Sequence, residues 1–125
     1  MRLLLDTHVF LWVVGGSARL SAGAQRRIAA ADRVFVSAAS IWEVAVKARL
    51  GKVDADADAL SAAIEGSGMA ELPVRATHAA AVQRLPLIHA DPFDRLLVAQ
   101  ALTEPLRLMT ADAALARYGD WVELV

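Results

Sequence analysis

Arg2-Leu3-Leu4-Leu5-Asp6-Thr7-His8-Val9-Phe10-Leu11-Trp12 opens the chain and decides how the rest is read. Leu3-Leu4-Leu5 shows no polar alternation, as expected of a strand covered on both faces, and parallel sheets are buried in that way. Asp6-Thr7 makes the turn, and the bulky apolar stretch after it reads as a helix. Strand, turn, helix is the repeating unit of an α/β domain.

Working outward, the same unit recurs. Ser21 can cap a helix through Ala31, Asp32-Arg33 turns the chain, and Val34-Phe35-Val36 is a second β-branched and aromatic run. From Ile41 the apolar positions Val44, Ala45 and Ala48 keep helical spacing. Lys47 and Arg49 suit the carboxyl-terminal dipole, and Gly51 is a stop. A further helix is expected from Asp56 to Ile64, ending at Gly66. Glu71-Leu72-Pro73-Val74 reads as a short strand before a helix over Arg75 to Arg84, and Leu85-Pro86 breaks the pattern. Asp91-Pro92 opens the clearest helix, with Asp91 as cap and Pro92 at the first helical position. Leu106 to Met109 is a fourth strand, Asp112 to Arg117 a short helix, and Trp121 to Val125 alternates like an edge strand. The order implies an α/β domain with a mainly parallel sheet.

Composition sets the bounds. The chain has 125 residues, 57% hydrophobic and 22% charged. That excludes disorder and suits one domain spanning 1–125. Mean hydropathy is +0.42, yet the longest stretch without a charged side chain, Thr7 to Ala18, is 12 residues. A spanning helix needs about 20. The expectation is a soluble, cytoplasmic protein with no membrane partner. With no cysteine, disulfides, thiolate metal sites and cysteine nucleophiles are excluded. The net charge of −1 gives no global field to attract nucleic acid.

In open parallel sheets, ligands bind outside the carboxyl ends of the strands. Four acids fall at that edge: Asp6 after the first strand, Glu43 in the first turn of the helix after the second, Asp94 in the Pro92 helix, and Asp112 after the fourth strand. Each has a local alternative. Ser40-Ile41-Trp42-Glu43 fits a capping box, Asp91 and Asp94 fit a cap and a first-turn acid, Thr110 to Asp112 fits another, and Asp6 could close a hydrogen-bonded turn. Convergence separates the readings. Two like charges about 4 Å apart repel by about 4 kcal/mol at an effective dielectric of 20, so a cluster needs protonation, a basic partner or a hard cation such as Mg²⁺ or Mn²⁺.

Leu3-Leu4-Leu5-Asp6-Thr7-His8, Ser37-Ala38-Ala39-Ser40-Ile41-Trp42-Glu43, Leu85-Pro86-Leu87-Ile88-His89 with Asp91-Pro92-Phe93-Asp94-Arg95, and Thr110-Ala111-Asp112 together resemble the signature of the PIN-domain family, most closely its VapC-type ribonuclease toxins. The similarity spans the chain. It implies a three-layer α/β/α PIN-like domain and a Mg²⁺- or Mn²⁺-dependent endoribonuclease that leaves 5′-phosphate and 3′-hydroxyl ends. It also implies a homodimer inhibited by a VapB-type antitoxin. Carried over by position, Asp6, Glu43, Asp94 and Asp112 are the acidic site and Thr110 a supporting hydroxyl. Asp6, Asp94 and Asp112 would hold the metal, and Glu43 would position and deprotonate water. Only one acid follows the fourth strand, where some members of the family have more, so the resemblance leaves one ion or two open.

Other features carry less. Asp54, Asp56 and Asp58 have calcium-loop spacing, but Ala59 stands where that loop needs glycine. His8, His78 and His89 share no short ligand spacing and read as packed or solvated. Trp12, Trp42 and Trp121 read as core or dimer contacts. Lys47, Arg49 and Arg95 could meet RNA phosphates or compensate helix dipoles. A non-enzymatic alternative, a receiver-like pocket phosphorylated on Asp6 or an inactive relative that only binds protein, fits less well. A receiver needs a lysine after its last core strand, and none lies beyond Lys52.

Overall fold

The computed structural model describes residues 1–125. Leu3, Leu4 and Leu5 are fully buried in β1 (Arg2–Leu5), the centre of a five-stranded sheet. Around it run α1 (Thr7–Gly15), α2 (Ala22–Ala30), β2 (Arg33–Ser37), α3 (Ala38–Arg49), α4 (Ala57–Gly66), β3 (Ala70–Leu72), α5 (Ala76–Ala81), α6 (Pro92–Thr103), β4 (Arg107–Thr110), α7 (Ala113–Ala116) and β5 (Val122–Leu124). All four strand pairings are parallel, in the order β3-β2-β1-β4-β5. Leu5 sits opposite Val36 on one side and Met109 on the other.

Two-residue alternation sorts the core into two layers. Leu3 and Leu5 pack with Val9 and Phe10 of α1, Ala24 of α2, Ile64 of α4 and Met109. Leu4 points the other way, to Leu97, Val98 and Ala101 of α6, Leu108 and Leu115. Each fully buried leucine contributes roughly 2 kcal/mol of transfer free energy, which is why an uninterrupted apolar run suits the middle strand. The result is the expected three-layer α/β/α arrangement. No helix is long and apolar enough to cross a membrane.

The strand order fixes the position of the crevice. From β1 the chain builds outward through β2 to β3, then returns to the other side of β1 for β4 and β5. Helices therefore leave the β1 and β4 ends in opposite directions, and a topological switch point opens between those ends. Asp6 follows β1 there; Ala111 and Asp112 follow β4.

Several element ends differ from expectation. The third strand stops at Leu72, before Pro73, which has no N–H to offer a ladder. The helix expected over Arg75 to Arg84 ends at Ala81 and continues as a single 3₁₀ turn, Val82–Arg84. The largest difference is at α3. Ser37, not Ser40, is the cap, accepting from the Ala39 amide, so the helix begins at Ala38. Glu43 consequently lies in the second turn, and the capping box read at Ser40 to Glu43 does not form.

Candidate active site

Asp6 is held at both oxygens. As the cap of α1 it accepts at Oδ1 from the Val9 amide at 2.8 Å, while Oδ2 accepts from the Thr110 hydroxyl. The turn-closing bond read as an alternative in the sequence is therefore present, and the second oxygen still faces Thr110. Asp6 is only 4% exposed. Burial pushes its carboxyl above the ordinary range, the bonds from Thr110 and Val9 oppose that, and the Glu43 charge adds to it. Thr110 is fully buried; besides donating to Asp6 it accepts from the Asp112 amide at 3.0 Å. One hydroxyl thereby ties the ends of β1 and β4 together.

Glu43 has a different set of partners from the one its sequence context suggests. Its Oε1 accepts from Thr7 at 2.7 Å, and Thr7 also lies 2.9 Å from the Ser40 hydroxyl. Oε2 pairs with Lys47 at 2.6 Å, one helical turn further along α3. Lys47 is held above the usual lysine range, chiefly by that bond and in smaller part by the charges of Asp91 and Asp94. Lys47 is therefore an internal counter-charge to the acidic cluster, with both Glu43 oxygens engaged.

Asp94 and Asp112 stand on the open side. Asp94 projects from the first turn of α6, behind the Asp91 cap, which accepts from the Phe93 and Asp94 amides as expected. Its carboxyl is pushed up to about 7, first by burial, then by the charges of Asp91, Glu43 and Asp6; His89 opposes the shift. Asp112 caps α7, accepting at Oδ1 from the Ala114 amide at 2.9 Å. That bond holds its carboxyl below the ordinary range, with help from His89. Asp6, Asp94 and Asp112 line one cavity of about 220 Å³ with His8, Trp12 and Ala111. Glu43 backs the site without lining that cavity.

His89, which ends one of the signature stretches but reads from sequence only as packed or solvated, belongs to this group. Its Nε2 is 2.9 Å from Asp112 Oδ2 and 3.6 Å from Asp94 Oδ2. Ligand atoms of His89, Asp94 and Asp112 all lie within 4.8 Å of one another; Asp6 is outside that trio but faces the same cavity. Arg95 turns inward, onto the carbonyls of Val82 and Pro86, and is not a free phosphate contact. His78 is buried as expected, 2.5 Å from Glu104. Trp42 is not a core residue: it is 56% exposed and meets Phe93 edge-on at 4.7 Å.

A divalent cation fits this donor set. Carboxylate oxygens converge at one cavity, and the charge around Asp94 has no basic partner of its own within ion-pairing distance except the His89 ring. Hard cations such as Mg²⁺ and Mn²⁺ take oxygen ligands of this kind.

Comparison with known proteins bears on the family and the fold. The family model of the PIN domain matches residues 3–120. The chain is 32% identical over 115 residues to ribonuclease VapC22 of Mycobacterium tuberculosis, covering 90% of this chain and 88% of that protein. Among solved structures, VapBC2 from Rickettsia felis, bound to a DNA fragment from its promoter, superposes with a TM-score of 0.71 at 14% identity, over 100% of this chain and 98% of the other. The sarcin-ricin loop cleaving toxin VapC20 of Mycobacterium tuberculosis gives 0.61 at 18% identity, over 94% and 95%. With the sheet order, the converging acids and these matches together, the chain belongs to the PIN domain family.

Proposed function

We propose that this protein is a metal-dependent endoribonuclease, the toxin of a type II toxin-antitoxin pair, acting in the cytoplasm as a homodimer of one domain per chain and inhibited by a VapB-type antitoxin. The observation that carries the activity is the convergence of Asp6, Asp94 and Asp112 on one cavity at the switch point between β1 and β4. Relatedness to ribonuclease VapC22 supports the reaction class, and the VapBC2 complex of the same fold supports the partner.

In this reading Asp6, Asp94 and Asp112 hold Mg²⁺ or Mn²⁺. Such an ion supplies a Lewis acid that offsets phosphate charge and lowers the pKa of an attacking water. The chain's own groups do the positioning. Thr110 and the Val9 amide fix the Asp6 carboxylate, so its orientation is set before substrate arrives. Asp112 is fixed in the same manner by the Ala114 amide. Glu43, bonded to Thr7 and Lys47, anchors α3 to the start of α1 and adds negative potential behind the cavity. Each Glu43 oxygen keeps a second lone pair beside its bond to Thr7 or Lys47, and the water-deprotonating role suggested by the sequence would use one of these.

The test is cleavage of RNA by the purified chain with Mn²⁺ or Mg²⁺ present and with chelator. Asp94→Asn should lower the rate at least about 100-fold, the scale of losing one preorganised electrostatic group. Wild-type activity in Asp94→Asn, or undiminished cleavage in chelator, would sink the proposal.

A further inference from the structure

His89 sits on the segment between the 3₁₀ turn and α6, and that segment is clamped. Arg95 Nη1 donates to the Pro86 carbonyl at 3.0 Å, and Nη2 donates to the Val82 carbonyl at 3.2 Å. The His89 amide donates to the Tyr118 hydroxyl at 3.2 Å, and Arg95 reaches the same hydroxyl at 3.3 Å. Three of these bonds hold the backbone between Val82 and His89, and the fourth joins the two side chains, Arg95 and Tyr118, that supply them.

The ring itself is also fixed. Its Nδ1 accepts from the Asp91 amide at 3.0 Å. A nitrogen that accepts a hydrogen bond carries no proton, so the ring proton sits on Nε2. Nε2–H then donates to Asp112 Oδ2 at 2.9 Å. With Oδ1 already bound by the Ala114 amide at 2.9 Å, Asp112 is gripped at both oxygens. A protonated Nε2 has no lone pair to offer a cation, although its distance from Asp94 and Asp112 is that of a third ligand.

We infer that His89 is a positioning residue of this site, which orients the Asp112 carboxylate through Nε2–H and is not itself a metal ligand. The inference rests on the cation-dependent reading above. The bond from Asp91 makes the helix cap part of the same device: Asp91 starts α6, which carries Asp94, and its amide sets the tautomer of the group that holds Asp112.

Mn²⁺ binding to the full chain separates the possibilities, followed by titration and by the electron spin echo of the bound ion. His89→Ala should weaken Mn²⁺ binding roughly 10–100-fold, the usual loss when a partner of a metal ligand is removed. Thermal stability should stay close to wild type. His89→Gln, whose side-chain amide can donate to Asp112 as Nε2 does, should recover most of the affinity. The wild-type echo should show no directly bound nitrogen, and long-range proton–nitrogen NMR of the metal-free protein should find Nδ1 unprotonated. Unchanged affinity in His89→Ala, failure of the Gln variant to recover it, a coordinated ¹⁴N signal or a proton on Nδ1 would each overturn the inference while leaving the nuclease reading intact. Absence of Mn²⁺ binding by the wild type would remove the reading on which it rests.

Discussion

The acidic site has two halves built on opposite plans. On the inner side, Asp6 and Glu43 are 4% and 3% exposed, and all four of their oxygens have partners in the fold: Val9, Thr110, Thr7 and Lys47. On the outer side, Asp94 faces three other carboxylates with only the His89 ring within ion-pairing distance, and its carboxyl rises to about 7. Burial raises both Asp6 and Asp94, but the bonds from Thr110 and Val9 oppose the shift at Asp6, and Asp94 has no such bond. The inner half is therefore tied into the fold at every carboxylate oxygen, whereas Asp94 on the outer side has no hydrogen-bond donor of its own.

Substitutions can break that contrast. The largest effect should come from Asp94→Asn, which removes cation-dependent cleavage, as set out above, yet should make the metal-free fold no less stable. An inner-half residue behaves oppositely. A variant at Asp94 that lost folding stability would show the two halves to be alike.

The second effect is on stability against pH. A carboxyl whose folded pKa lies above its unfolded value binds protons more tightly when folded, so stability is gained as pH falls through the folded pKa. For Asp94 that window runs from about 7 down to the ordinary range near 3.8. Denaturant unfolding of the metal-free protein should give a fold more stable at pH 5 than at pH 8 by about 2 kcal/mol, with Asp6 shifted in the same sense. Asp94→Asn should remove most of the difference. Asp112, shifted downward, contributes only at more acid pH.

A smaller effect sharpens the inner half. Lys47→Met leaves one oxygen of buried Glu43 without its partner, and should cost about 1–3 kcal/mol in urea unfolding. No loss of stability would mean that Lys47 does not serve as the internal counter-charge.

Much of this was legible in the sequence, and the exceptions have physical causes. Leu3-Leu4-Leu5 announced the central strand because nothing polar interrupts it, and Asp91-Pro92 announced α6 because cap and proline signals are local. The strand order is not local, so the switch point between β1 and β4 was beyond sequence reasoning even though the four acids were not. Ser37 and Ser40 are equally good caps on paper; Ser40 is taken by Thr7, thirty-three positions away in the chain, and no periodicity reveals that. His89 and Lys47 escaped for a related reason. The sequence shows a histidine two residues before a cap and a lysine in a last turn, whereas their roles depend on Asp112 and on a buried Glu43 brought to them by the fold.

The most direct test of the account is titration of Mn²⁺ into the wild-type chain at pH 6 and pH 8. If Asp94 must lose a proton to join the site, affinity should be roughly tenfold weaker at pH 6, with about one proton released per ion there and almost none at pH 8. Equal affinity at the two pH values, with no proton released at either, would contradict it.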